Sequence, residues 1–194
     1  MPMIKRLSAL VAFAALGACA QNSPPPTPAT TAVAKSNLLA VLDRDVADVE
    51  KKMVGLAKAM PENTMDWRPM PGVRSVREVF LHISGENYMV PSFFDVAIPV
   101  GTGIVAKDDK TVTAYEARKI SRDSTVADLE ASFKAIRAAM AEDSVNPPDA
   151  KVMFYGGNST HEAAWIGTVT HMHEHLGQAI AYARSNKVVP PWSK

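Results

Sequence analysis

The sequence has little of what several large classes of protein depend on. It contains one cysteine in 194 residues, so no internal disulfide can form. Its 21 basic residues are balanced by 20 acidic ones, and a formal net charge of +1 gives no sign of the basic surface that nucleic-acid-binding proteins carry. We find no internal repeat, no glycine-rich phosphate loop and no convincing run of alternating strand residues. These absences argue against a disulfide scaffold, a nucleic-acid partner and a fold with a parallel sheet.

The N-terminus also lacks an apolar run long enough for a transmembrane helix. The uncharged segment Leu7–Leu16 has about half of the roughly 20 apolar residues that a span needs. Two basic residues precede it and small residues follow, which is typical of a secretory signal. Leu16–Cys19 resembles the lipobox of bacterial lipoproteins, in which the signal is cut before a cysteine that then carries the lipids. We therefore expect export and anchoring at the periplasmic side of a membrane through lipidated Cys19, and Ala20 favours the outer membrane.

The rest of the chain divides into a tether and one domain. Four prolines lie among small and polar residues in 19–36, which predicts an extended Pro-rich tether without a core. About 158 residues follow, a normal size for a single domain. The predicted organisation is a signal peptide over 1–18, a lipidated tether over 19–36 and a globular domain over 37–194.

Apolar residues recur at spacings of three and four in four segments of the domain, which predicts four amphipathic helices. The predicted helices are Leu38–Met60, a second from a capping box at Ser75 to about Val90, a third from a cap at Ser124 or Thr125 to Glu142, and a fourth from a capping box at Ser159 to about Ser185. The intervening residues 93–123 contain prolines, glycines and a charged run, and we expect a loop with short helical turns there. The predicted fold is all-α, a four-helix bundle.

Three of the five histidines are the candidates for a metal site. On a helix, His171 and His175 share one face, whereas His173 is rotated by about 200° from His171 and points away. A third protein ligand is needed for a site of the catalytic zinc type, and His82, in an apolar stretch of the second helix, is the candidate. A bundle interior brings such residues together. We therefore predict that His82, His171 and His175 bind one divalent metal ion.

Other residues near these histidines have two readings each. Glu86 follows His82 by one turn and is a candidate catalytic base, fourth ligand or hydrogen-bond acceptor, or else a solvated glutamate. Gln178 and Tyr182 continue the face of His171 and His175, so they either line a pocket or pack between helices. Trp67 is a further pocket candidate, although a tryptophan is more often part of a core. We expect His161 and His173 at the surface.

These residues form a pattern that resembles a known family. The pattern comprises Trp67-Arg68-Pro69 before the second helix, His82, the run His171-Met172-His173-Glu174-His175-Leu176-Gly177-Gln178, then Tyr182-Ala183-Arg184 and Pro190-Pro191-Trp192. It is similar to the DinB-like, YfiT-like family of metal-binding four-helix bundles over nearly all of Leu38–Trp192. The resemblance implies a single zinc or nickel ion on His82, His171 and His175, with water completing the shell. Family members with known activity are thiol-dependent transferases or isomerases, and some are described as hydrolases.

Two functional hypotheses follow, and the sequence leaves both open. The first is a metal-dependent transferase or hydrolase that acts on a small-molecule substrate. The alternative is a non-catalytic metal-binding or envelope-stress lipoprotein, in which the metal is structural and staples the bundle. A helical interaction module without metal would require the three histidines to be far apart in space. The sequence does not decide between a monomer and a homodimer.

Overall fold

The computed structural model describes residues 38–193, which include five α-helices and one two-stranded hairpin. In chain order the elements are α1 (Leu38–Ala59), α2 (Val76–Met89), α3 (Asp109–Glu116), α4 (Arg122–Asp143), β1 (Lys151–Phe154), β2 (Gly157–Thr160) and α5 (His161–Ser185). Short 3-10 turns at Glu62–Thr64 and Val90–Phe94 connect some of them. The predicted all-α class is confirmed, with the hairpin as a minor addition.

The four long helices pack around one apolar core. Helices α1 and α2 each pack against both α4 and α5, so the four form a ring in which α1 and α2 lie across a diagonal. The buried face of α1 carries Val46, Val49, Met53 and Leu56, which are fully buried at the spacing of three and four that the sequence predicts. None of the helices in residues 38–193 combines the length and the hydropathy that a membrane span requires.

Helix α2 is the most enclosed element of the bundle. It begins with the predicted capping box, in which the Ser75 side chain accepts from the Glu78 amide while the Glu78 carboxylate accepts from the Ser75 amide. Almost every residue after the cap is buried, because α3, α4 and α5 all pack against α2. At Gly85 a Cβ atom would lie 3.0 Å from Cγ1 of Val112, so the missing side chain allows α3 to approach α2 closely.

The segment predicted as a loop between the second and third long helices is more regular than expected. Residues Asp109–Glu116 form a helix of eight residues, capped by the Asp108 carboxylate. Helix α4 starts earlier than predicted, because Ser121 rather than Ser124 or Thr125 caps it and accepts from the Ser124 amide. The expectation of a loop with only short turns is therefore wrong for α3.

The hairpin before α5 is the other correction to the predicted fold. Strands β1 and β2 pair antiparallel, with Phe154 opposite Gly157, and Tyr155 and Gly156 make the two-residue turn. Both turn residues have positive φ, 46° and 77°, as tight hairpin turns of the primed class require. Thr160, the last strand residue, caps α5 by accepting from the Ala163 amide. The predicted capping box at Ser159 is therefore wrong by one residue.

The predicted signal peptide over 1–18 and the predicted tether over 19–36, including Cys19, lie outside the described residues.

Candidate metal centre

The centre of the bundle brings His82 of α2 together with His171 and His175 of α5. Their Nε2 atoms face one another, with 3.3 Å between those of His82 and His171 and 3.0 Å between those of His171 and His175. All three ligand atoms lie within 4.8 Å of one another, and among the described residues these three form the group able to hold a metal ion. The predicted third ligand thus lies beside the predicted pair.

The spacing of these nitrogens fits one shared ion. Two nitrogens bound to a tetrahedral ion at about 2.0–2.1 Å lie about 3.3 Å apart, which is close to the observed separations. Three imidazoles supply borderline-soft nitrogen ligands that suit zinc and nickel. The donor set therefore fits one divalent ion and leaves a tetrahedral centre one ligand short.

The orientation of the His175 ring is set by an amide behind it. Nδ1 of His175 lies 2.8 Å from Oε1 of Gln178, and because an amide oxygen only accepts, Nδ1 carries the proton. Nε2 of His175 therefore presents a lone pair to the centre of the cluster. Gln178 in turn donates to the Tyr182 hydroxyl at 3.0 Å, and the Tyr182 ring meets Trp67 edge to face at 5.4 Å.

His82 has a carboxylate in the corresponding position. Its Nδ1 lies 2.9 Å from Oε2 of Glu116, although the ring N–H is not aligned with that oxygen as in a standard hydrogen bond. The same oxygen accepts from Nε of Arg74 at 2.9 Å. Burial raises the pKa of the Glu116 carboxyl, but the contacts with His82 and Arg74 outweigh it, and the pKa lies below its usual value. A carboxylate in this position is a typical outer partner of a metal-ligating histidine, where it orients the ring.

This arrangement disfavours protonation of His171 and His175 and suits a metal cation. With Nδ1 of both His82 and His175 directed at outer acceptors, two lone pairs meet at the centre, and His171 can donate a proton to only one of them. Burial first, and then the neighbouring imidazoles, lower the pKa of His171 to about 4, and burial lowers the pKa of His175 to about 4 as well. Neutral imidazoles are the form that binds metal.

The two remaining histidines lie outside the cluster. His173 is exposed and its Nε2 lies 3.0 Å from Oδ1 of Asp45, in agreement with the surface position that the helical spacing predicts. His161 was expected at the surface as well, and this is wrong. Its side chain is only 15% exposed, because Nδ1 contacts the buried Asp143 at 2.8 Å and the ring packs against Phe94. Asp143 also accepts from the indole of Trp165, so this group fixes the start of α5.

A cavity of about 310 Å³ opens beside His171. Its lining includes Glu86 of α2, Met172 of α5 and Phe154 and Tyr155 of the hairpin. The Tyr155 hydroxyl donates to the Glu86 carboxylate, and burial raises the pKa of Glu86 against the opposing effect of that hydrogen bond. Glu86 does not join the group of metal-ligating atoms in the described residues, so its place is in the cavity.

The other predicted pocket residues lie on a different side of the cluster. Trp67, Gln178 and Tyr182 form the chain of contacts behind His175, and none of them is part of the lining of the cavity beside His171. Tyr182 is buried, whereas Trp67 and Gln178 are partly buried. Their role as pocket residues stays a prediction. Gln178 contacts the His175 ring, Tyr182 contacts Gln178, and Trp67 contacts Tyr182.

Three residues around the cluster and its cavity are not among those predicted from the sequence. Glu116 lies in the segment predicted as a loop, Tyr155 lies in a hairpin for which no strand was predicted, and Arg74 lies just before the capping box of α2, outside every predicted helix. No spacing in the sequence links any of them to a histidine, since Glu116 is 34 positions from His82. The charged run before Glu116 and the Tyr155-Gly156 pair were the signals available for a helix and a turn.

A family of known proteins matches this chain. The family model described as the DinB superfamily matches residues 46–179, which include all three clustered histidines. No curated protein matches the chain.

Proposed function

The chain belongs to the DinB superfamily, and on that premise we propose that it is a metal-dependent enzyme of the transferase or hydrolase type that acts on a small molecule. The proposed cofactor is one divalent ion, zinc or nickel, held by His82, His171 and His175. Glu86 is the proposed catalytic residue on the substrate side of the centre.

One observation carries the proposal: three Nε2 atoms converge at 3.0 and 3.3 Å while outer partners lie at 2.8 and 2.9 Å from Nδ1 of His175 and His82. A purely structural packing of histidines has no need for two rings whose lone pairs face one another. Catalytic metal sites characteristically combine three protein ligands with one open position, and their outer partners fix the ligand rings.

The cavity beside His171 supports the enzymatic reading over the structural one. A bound divalent ion would supply Lewis-acid chemistry, polarising a group of the substrate or lowering the pKa of a bound water or thiol. The chain's own residues would orient the substrate and exclude water, with Phe154, Val90 and Met172 as apolar walls. Glu86 in the same cavity can accept a proton or a hydrogen bond from the bound molecule.

The experiment that separates catalysis from a structural metal compares His175→Ala with His173→Ala. Activity would first be found by screening thiol-transfer and hydrolysis substrates with the metal-loaded protein. We expect His175→Ala to abolish that activity while the melting temperature falls modestly, because the four apolar faces still pack. His173→Ala should keep both properties. A melting temperature that collapses together with the metal in His175→Ala, without any metal-dependent activity in the unsubstituted protein, would support the structural alternative.

We also propose that the protein is exported and held at a membrane by lipidated Cys19, facing the periplasm and in the outer membrane. The support is the signal pattern of the first 18 residues and the sequence Leu16-Gly17-Ala18-Cys19.

Expression of Cys19→Ala in a bacterial host, with fatty-acid labelling, tests the anchor. We expect the variant to be unprocessed or unlipidated, while the domain from Leu38 onward still folds because its own helices supply the core described above. Normal labelling of Cys19→Ala would contradict the lipoprotein assignment.

A further inference from the structure

The cavity beside His171 is mainly apolar but contains a partly buried carboxylate, that of Glu86. Phe154, Val90 and Met172 supply apolar surface, and within the described lining Glu86 is the one carboxylate, with no lysine or arginine. Burying an ionised carboxylate is costly unless hydrogen bonds or a cation compensate it. The described lining of the cavity therefore contains no charged group that could balance the carboxylate of Glu86.

The protein itself offers Glu86 little compensation. The hydrogen bond that the described residues provide comes from the Tyr155 hydroxyl to Oε2, a neutral donor, whereas an ionised carboxylate has about four acceptor sites. Of the basic groups whose charge acts on Glu86, His82 directs its Nε2 to the histidine cluster. The other, Arg74, already donates to Glu116. Asp109 adds a further negative charge in the neighbourhood.

Two further polar groups of the cavity, the Asn87 amide and the Thr168 hydroxyl, are already engaged. Nδ2 of Asn87 donates to the Ser132 hydroxyl at 3.1 Å, and the Thr168 hydroxyl donates to the Ala164 carbonyl at 2.9 Å within α5. Neither group is directed at Glu86 as a donor. Glu86 thus lacks a positively charged hydrogen-bond donor, and the surface beside it is apolar.

We propose that this cavity binds a substrate with a protonated amino group on an apolar body, with the ammonium at Glu86 and the body between Phe154 and Met172. The ammonium supplies the charged donors that the protein does not. The apolar body displaces water from the walls, and His171 at the edge of the cavity places the substrate beside the metal centre. This inference rests on the proposed enzymatic function and names the class of substrate it takes.

Tyr155 has a defined part in this recognition. Its ring lies at the tip of the hairpin, 45% exposed, while its hydroxyl holds Glu86 in the cavity. Because the hydroxyl occupies one carboxylate oxygen, the other oxygen is left for the substrate. Tyr155 is therefore a positioning residue for Glu86 and not the group that recognises charge.

The test uses three probes with one apolar body and different head groups, namely 4-phenylbutylamine, 4-phenylbutan-1-ol and 4-phenylbutanoate. Their binding to the purified metal-loaded protein would be measured by calorimetry and by the methyl resonance of Met172, with that of the buried Met140 of α4 as a reference. We expect the amine to bind at least about tenfold more tightly than the alcohol, the carboxylate to bind most weakly, and the Met172 resonance to shift.

The variants identify the group responsible. Glu86→Gln should remove the preference for the amine while binding of the alcohol is kept. Tyr155→Phe should reduce the preference without removing it, because the Glu86 carboxylate loses the hydroxyl that holds it. Glu142→Gln, a matched change at an exposed position of α4, should behave as the unsubstituted protein.

An amine preference that survives Glu86→Gln, equal or tighter binding of the carboxylate, or no binding of any probe would overturn the inference. Elemental analysis of the same samples keeps it separate from the proposed function. If Glu86→Gln and the unsubstituted protein both hold one metal ion but the unsubstituted protein shows no preference for the amine, the substrate class is wrong and the metal centre stands. If neither holds metal, the proposed function fails independently of the probes.

Discussion

At the scale of single residues, the rings of His82 and His175 depend on acceptors that lie outside the cluster. Gln178 is the simpler of the two, because its amide oxygen can only accept and so determines which nitrogen of His175 carries the proton. The Glu116 carboxylate acts on His82 from α3, and Arg74 holds that carboxylate in turn. A metal site built in this way should respond to changes in residues that never touch the ion.

Replacing Gln178 by leucine tests this dependence. Gln178→Leu removes the acceptor and frees the His175 ring, so metal affinity should fall by about 10- to 100-fold. Tyr182→Phe removes only the next hydroxyl along, which accepts from Gln178, and should have a much smaller effect. Competition titrations with a chelator measure both dissociation constants. Equal affinities for Gln178→Leu and the unsubstituted protein would show that the amide does not orient the ring.

The lowered pKa values of His171 and His175 predict how the metal-free protein responds to pH. Burial lowers both values to about 4, whereas a histidine in the unfolded chain titrates near about 6.5. Between these values the unfolded state binds more protons than the native state, so the free energy of unfolding rises with pH across this window. The metal-free protein should therefore lose stability as the pH falls from about 6.5 towards about 4.

Urea unfolding of the metal-free protein at a series of pH values measures this dependence. A variant with His171→Ala and His175→Ala provides the control, and its stability should change less with pH over the same window. If the metal-free protein is equally stable at the two ends of the window, the pKa values of the two rings are not lowered by the fold.

At the scale of elements, the four long helices could be predicted because each carries an apolar stripe over many turns. Helix α3 and the hairpin could not, because eight and four residues are too few for a periodic pattern, and Tyr155-Gly156 is not the usual Asn-Gly or Asp-Gly turn. Ser159 and Thr160 both carry a hydroxyl that can cap a helix. Strand β2 extends through Thr160, which pairs with Lys151, so α5 begins one residue later than predicted. Such choices depend on tertiary contacts.

Two glycine-to-alanine substitutions, one in the hairpin turn and one within α5, should change the free energy of unfolding in opposite directions. Gly156 has φ of 77° in the hairpin turn, so Gly156→Ala should destabilise the protein by about 1 kcal/mol. Gly177 lies in the exposed middle of α5, and a Cβ there meets nothing within 4 Å, so Gly177→Ala should stabilise by about 0.5–1 kcal/mol. Thermal unfolding measures both. If both substitutions change the free energy of unfolding in the same direction, one of the two glycines does not have the backbone conformation described.

At the scale of the whole molecule, the site depends on the ring of helices. The sequence predicts that His171 and His175 share a face of one helix, and this follows from local geometry alone. That His82 faces them requires α2 to pack against α5, which the family resemblance implies and spacing does not. The approach of Glu116 depends on α3 packing closely over Gly85, and no pattern in the sequence indicates it.

The central claim is that His82, His171 and His175 hold one divalent ion, and elemental analysis of the purified protein tests it most directly. We predict one equivalent of zinc or nickel per chain in the unsubstituted protein and in His173→Ala, whose exposed ring lies on the same helix but outside the cluster. His82→Ala, His171→Ala and His175→Ala should each lose stoichiometric metal and keep their helical content. An unsubstituted protein that binds neither ion after incubation with it, or a His171→Ala variant that keeps a full equivalent, would contradict the account.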